Sequence, residues 1–264
     1  MAEAGGLYYE VHGPANAPAL VLSSGLGGSA SYWTPNVAAL AKQHRVILYD
    51  HRGTGRSGPL PEGRVTVEDF ADDIVQLLDA LGIARASVIG HAAGGVAGLA
   101  LALKAPDRID RLIVINGWAE LDPHFARCFD VRLTLLRHGG PRAYLRAQPI
   151  FLYPANWISD HSAALDAELE QQLAHFPDAD TLSRRIAALR SFDIAGDLGA
   201  IATPTLLVVA EDDMLVPPHC ARQLAAGLPR AQLGPLGSGG HACNVTRPDL
   251  FNRLVLAWLG QGDE

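Results

Sequence analysis

Four short segments carry residue types that together can run acid–base chemistry on a small carbonyl compound. The first is Gly90-His91-Ala92-Ala93-Gly94. Its spacing matches a strand–turn–helix elbow, which presents the central side chain on a tight turn and aims the next backbone N–H at a developing oxyanion. The central residue is Ala92, so the turn offers no nucleophilic oxygen, while the N–H of Ala93 is retained. The second is Gly239-Gly240-His241, whose imidazole can move a proton in the neutral range. The third is Glu211-Asp212-Asp213. A carboxylate there can accept the Nδ1–H of His241 and so fix the ring's tautomer and orientation. Asp213 is the expected partner, Asp212 is its neighbouring rival, and Glu211 is expected to face solvent. The fourth is Ser23-Ser24-Gly25-Leu26-Gly27-Gly28, a glycine turn placed to supply a second oxyanion donor from Leu26, with Ser24 and Gly25 beside the substrate.

The elements around these segments must bring them to one place. Short apolar runs alternate with helical patterns, the signature of a mostly parallel sheet with crossover helices. Strands are expected at Leu20–Ser23, Val46–Tyr49, Ser87–Gly90, Leu112–Ile115, Thr205–Val209 and about Ala231–Leu236. Thr66–Leu81 reads as an amphipathic helix with Phe70, Ile74, Leu77 and Leu78 on one face and Thr66/Asp69 as its capping pair. A small-residue helix runs from Ala92 to Lys104, and a last helix from about Pro248 to Leu259. Between 119 and 194 no strand pattern occurs. That stretch is expected to form a helical cap over the carboxyl ends of the strands, where ligands bind in open α/β sheets. The expected division is a core of 1–118 and 195–264 with a cap of 119–194.

The chain has 264 residues, 21 Lys+Arg against 28 Asp+Glu, and is 48% hydrophobic. That balance excludes a disordered chain and argues against a nucleic-acid partner, whose footprint is a surplus of basic residues. Cys128, Cys220 and Cys243 cannot all pair and show no metal-ligand spacing, which points to a reducing compartment. The start lacks a secretory pattern, and the greasiest run, Val96–Leu103, is far short of the ~20 residues that span a bilayer. A cytoplasmic protein without membrane attachment, monomeric or homodimeric, is expected.

In the order elbow, acid, histidine, the four segments resemble the α/β-hydrolase fold. Asp50-His51-Arg52-Gly53-Thr54-Gly55-Arg56-Ser57 adds a turn similar to one that follows a core strand in that superfamily. The resemblance narrows to the RutD family through Asn116-Gly117-Trp118, Arg127-Cys128-Phe129, Ala147-Gln148-Pro149, the run Phe151–Ala155 with Trp157, Ala174-His175-Phe176 and Gly239–Thr246. It implies a hydrolase of pyrimidine (uracil) degradation and nitrogen metabolism, acting on carbamate or aminoacrylate, with alanine at the elbow as a family feature.

Without a serine the acyl-enzyme route is closed. The oxyanion donors and the His–Asp pair remain, and these suit a labile substrate that needs only a proton shuttle. Carbamate and aminoacrylate are both small anions, so the pocket should hold a cationic group; of Arg127, Arg132 and Arg137, Arg132 is the expected one. Trp118 and Trp157 are expected to line or brace the cavity. Cys243 is expected to be inert. No cofactor or metal is implied, because the histidines lack ligand spacing and no dinucleotide fingerprint follows a strand. Two alternatives stay open: an ester, lactone or C–C hydrolase in which Ala92 replaces a serine, and a non-catalytic metabolite binder.

Overall fold

The computed structural model describes residues 3–261. Its strands are β1 (Glu3–Ala4), β2 (Leu7–His12), β3 (Ala19–Ser23), β4 (Arg45–Tyr49), β5 (Ala86–His91), β6 (Ile109–Ile115), β7 (Thr205–Val209) and β8 (Ala231–Pro235). They form a single sheet in the order β1-β2-β4-β3-β5-β6-β7-β8, antiparallel across β1–β2–β4 and parallel throughout the rest. Its central strands are near-continuous apolar runs buried on both faces, as parallel strands covered by helices must be.

The helices are α1 (Thr34–Leu40), α2 (Val67–Ala80), α3 (Ala93–Lys104), α4 (Pro123–Leu152), α5 (Ala155–Asp160), α6 (Ser162–Ala174), α7 (Ala179–Ser191), α8 (Pro218–Gly227), α9 (Cys243–Thr246) and α10 (Pro248–Leu259). One core packs α2 and α3 against the sheet and continues into α4 and α7; a second packs α1 and α10 on the opposite face. The amphipathic pattern of α2 starts where its capping pair places it: the Asp69 carboxylate accepts the Thr66 N–H at 2.8 Å.

Helices α4 to α7 are inserted between β6 and β7. The insertion closes at its neck, where Ile194 N–H donates to Ala119 O at 2.9 Å, so the chain leaves and re-enters the core at one point. Within α4 the helix breaks at Gly140, whose φ of 73° precedes Pro141. The structure also holds elements that the apolar runs did not signal: the β1–β2 hairpin and the short helices α1 and α8. Among the described residues, no helix is long and apolar enough to cross a membrane.

Candidate active site

Register puts all four segments at one edge of the sheet. Ser23 pairs with Gly90, His91 with Ile115, Ile115 with Val208, and Val209 with Pro235. The residues that follow these pairs, Ser24, Ala92, Asn116, Ala210 and Leu236, therefore leave the sheet side by side at its carboxyl end.

The elbow is sharply bent. Ala92 has φ 47° and ψ −106°, a conformation that costs a non-glycine residue about 1–3 kcal/mol. Its neighbours must be glycine because the turn is crowded. A Cβ on Gly90 would collide with the Gly94 backbone, and one on Gly94 with the Ser23 carbonyl. Ala93 is the first residue of α3, and its N–H has no acceptor within the helix. Ala92 itself is buried, presenting a methyl group where the fold usually carries a nucleophile.

His241 Nδ1 lies 2.8 Å from Asp213 Oδ2, with both side chains almost wholly removed from solvent. The other carboxylate oxygen of Asp213 accepts the N–H groups of Leu215 and Val216 at 2.7 and 3.0 Å, which locks the acid in place. Asp212, the rival, turns elsewhere: its Oδ1 accepts the N–H groups of Gly239 and Gly240, both at 2.8 Å, and so shapes the loop that carries the histidine. Glu211 pairs with Arg222 at the surface. With Nδ1 engaged by Asp213, Nε2 is the ring nitrogen left for a substrate.

Two side chains to which the sequence motifs gave no role of their own hold the histidine loop. The His241 carbonyl accepts from His91 Nε2 at 2.9 Å and from Asn116 Nδ2 at 2.7 Å. Asn116 also has a left-handed backbone (φ 49°), which asparagine tolerates better than most residues, and its Oδ1 accepts the Ala210 N–H. The His91 ring stacks on Tyr32, whose hydroxyl donates to Asn244 Oδ1. Burial, then the proximity of His241, pushes the His91 pKa well below the ordinary histidine value.

On the other side of the elbow, the Ser24–Gly28 loop turns tightly, with Gly28 N–H on Gly25 O at 3.0 Å. Gly25 lies against the His91 ring so closely that a side chain there would strike Nδ1, and Ser24 Oγ is buried without a partner. The Leu26 carbonyl faces Arg185 of α7, whose Nη2 stands 3.3 Å away. Arg185 is fully buried and also donates to Arg52 O and to His51 Nδ1. His51 then lies 3.2 Å from Ser23 Oγ, which meets the Tyr49 hydroxyl at 2.8 Å. Arg185 sits beside Arg184 in a polar helix, and nothing in that pattern marks it as buried.

Of the three expected cap arginines, Arg132 points inward and Arg127 and Arg137 are exposed. Arg132 Nη2 donates to the Tyr144 hydroxyl at 2.5 Å, and its guanidinium lies among the rings of Phe129, Tyr144 and Phe151. Among the described residues, neither Arg132 nor Arg185 has a carboxylate at ion-pair distance, and the Nε of each is buried and unpartnered. Trp118 is buried against Phe125. Trp157 is half-buried in α5, where its ring lies tilted against Tyr153 and stacked on His161. Cys243 is buried, and burial pushes its thiol up to about 12, so it holds no thiolate at neutral pH. A surface groove of about 760 Å³ between α2 and the 59–65 loop is lined by neither His241, Asp213 nor the elbow, and its Asp72, Asp73 and Asp79 are paired with Lys104, Arg52 and Arg108.

Comparison with known proteins agrees with this architecture. The alpha/beta hydrolase fold family matches residues 18–248. A RutD protein of Caulobacter sp. (strain K31), named provisionally as a carbamate hydrolase, is 53% identical over 256 residues, which covers 96% of each chain. A RutD protein of Variovorax paradoxus (strain S110), with the same provisional name, is 50% identical over 97% of this chain and 96% of its own. Among solved structures, the enol-lactonase of Burkholderia xenovorans LB400 superposes with a TM-score of 0.88 at 31% identity, covering 98% of this chain and 99% of that one.

Proposed function

The chain belongs to the α/β-hydrolase fold family and to the RutD proteins within it, and from that premise we propose that it accelerates the breakdown of carbamate to ammonia and carbon dioxide, with His241 as proton carrier, Asp213 as its holder and no covalent intermediate. One observation carries the reading. A buried histidine–carboxylate pair, joined through Nδ1 and with Nε2 left for a substrate, accompanies an elbow that keeps its strained geometry but bears only a methyl group.

The proposed step balances with one proton. Imidazolium Nε2–H of His241 gives its proton to the carbamate nitrogen. The C–N electron pair leaves with that nitrogen as ammonia, and the carboxylate carbon departs as carbon dioxide. His241 is left neutral, with Nδ1–H still held by Asp213. Negative charge leaves the carboxylate oxygens as the bond breaks. N–H groups at Leu26 and Ala93 would therefore orient the anion rather than stabilise a developing oxyanion. The buried cations Arg132 and Arg185 would attract a small anion that enters beside them. In the uracil breakdown assigned to the RutD family by resemblance, this step would return nitrogen as ammonia in the cytoplasm.

The test is the decay of freshly generated carbamate, followed with a pH indicator in a stopped-flow mixer. Buffer, the protein and its His241→Ala variant are compared at equal concentration. Saturable acceleration that the variant loses is the expected result. Decay equal to buffer in all three overturns the carbamate reading; acceleration of aminoacrylate decay by the same preparation would then move the same acid–base machinery to that substrate.

A further inference from the structure

We propose that Asp122, His219 and Cys220 form a binding site for a zinc-class divalent cation, one that ties the entry of the helical insertion to the core helix behind Asp213. The three come from distant parts of the chain. Asp122 precedes the first residue of α4, and His219 and Cys220 lie in the first turn of α8, six and seven residues after Asp213. Their ligating atoms, a carboxylate oxygen, an imidazole nitrogen and a sulfur, all lie within 4.8 Å of one another.

Zinc bonds of about 2.0–2.3 Å in a tetrahedral site separate ligand atoms by roughly 3.3–3.8 Å, so closure needs movement of about one ångström. His219 can supply that movement. Its side chain is 62% exposed, and its Nε2 already lies 2.9 Å from Asp122 Oδ2. Asp122 is held in the required orientation by its other oxygen, which accepts the N–H groups of His124 and Phe125 at the start of α4. Such support of a ligand by outer hydrogen bonds is typical of metal sites. Burial keeps Cys220 a thiol in the metal-free protein, so a bound cation would displace its proton; one carboxylate and the thiolate so formed then neutralise a divalent charge, and an imidazole–thiolate–carboxylate set suits zinc or cobalt better than magnesium or calcium. Three protein ligands leave the fourth tetrahedral position to water.

A second histidine–cysteine pair lies beside the triad and gives a control. His124 Nε2 stands 2.7 Å from Met214 O and 3.4 Å from Cys128 Sγ. His124 is already committed to a carbonyl, so the structure assigns the cation to Cys220 and not to Cys128.

Untagged protein, stripped with EDTA, would be titrated with Co²⁺ and then with Zn²⁺. The expected result is one equivalent of Co²⁺ bound with a near-ultraviolet thiolate-to-cobalt charge-transfer band, which Zn²⁺ removes by displacement. Cys220→Ser should lose the band, and Cys128→Ser should keep it. His219→Ala changes an exposed side chain and should leave the apo melting temperature unchanged, yet weaken binding at least roughly tenfold and abolish the Zn²⁺-induced rise in Tm. No charge-transfer band, a band that survives Cys220→Ser, or equal affinity in His219→Ala overturns the proposal.

Discussion

His91 Nε2 lies 2.9 Å from the backbone carbonyl oxygen of His241, so the residue beside the elbow anchors the chain of the proposed proton carrier. Because that oxygen accepts, His91 must carry a proton on Nε2, while burial, then the proximity of His241, disfavours a second proton on Nδ1. Asn116 Nδ2 meets the same oxygen from β6. Elbow, central strand end and histidine loop are thus one hydrogen-bonded unit. The site's geometry does not depend on a hydroxyl at position 92.

The two adjacent aspartates should separate chemistry from architecture. Asp213→Asn removes the charge that orients His241 Nδ1 and should lower carbamate turnover by roughly 10²–10⁴-fold with little change in fold. Asp212→Asn weakens two bonds from the Gly239 and Gly240 N–H groups and should cost about 1–3 kcal/mol of stability with a smaller loss of rate. Steady-state rates and urea unfolding on both variants check this; equal rate losses would mean that Asp212 shares the acid's role.

Ala92→Ser places a hydroxyl at an elbow whose histidine and acid are already assembled. The variant should gain a nucleophile and hydrolyse p-nitrophenyl acetate with a burst of about one product per protein, the mark of an acyl-enzyme. It should lose carbamate activity, because the added oxygen occupies space beside the Ala92 methyl. Absence of a burst would mean that His241 Nε2 is not directed at position 92.

Stability should fall as soon as pH drops below the ordinary histidine range. Burial, reinforced by His241, pushes His91 well down; burial, reinforced by the Arg185 charge, does the same to His51. The unfolded chain takes up a proton on each as pH falls through about 6.5, while the folded protein does not. Extra protons on the unfolded state make stability drop with falling pH, by up to about 2.7 kcal/mol per pH unit for two such groups. Urea midpoints should be flat above pH about 6.5 and decline below it, with a shallower decline in His91→Gln. A flat profile to pH about 5 would show that both rings accept protons in the folded protein.

What was legible in the sequence was what local pattern encodes. β7 and α10 lie where their apolar runs place them, and the glycines around Ala92 mark the turn because no other residue fits it. Asp213 was the expected partner of His241, but the separate role of Asp212, which holds the Gly239 and Gly240 N–H groups, was not legible, since it turns on how the loop folds back on itself. β2 is a half-buried strand, second from the edge of the sheet, without a strong apolar run, and α1 and α8 are short, though Thr34-Pro35 and Pro217-Pro218 are helix-start signals. Arg185 and the Asp122–His219–Cys220 cluster depend on contacts between segments far apart in the chain, which spacing rules cannot see.

The two buried arginines should respond differently to removal. Arg185 is charged at neutral pH even though burial lowers it to about 10, and it satisfies three acceptors: Arg52 O, Leu26 O and His51 Nδ1. Arg185→Met relieves an unpaired buried charge, worth about 1–4 kcal/mol, but strands those acceptors at about 1–3 kcal/mol each. Loss of the acceptors outweighs the relief, and the variant should be destabilised by about 2–4 kcal/mol. Arg132 donates a close bond only to the Tyr144 hydroxyl, and its guanidinium rests among aromatic rings that a methionine can also fill. Arg132→Met should therefore fold with near-normal stability and raise KM for carbamate at least about tenfold while changing kcat less, because it removes uniform attraction for the anion. Parallel urea unfolding and carbamate kinetics decide the matter. An unchanged KM in Arg132→Met would remove Arg132 from the anion site and leave Arg185, beside Leu26, as the remaining buried cation.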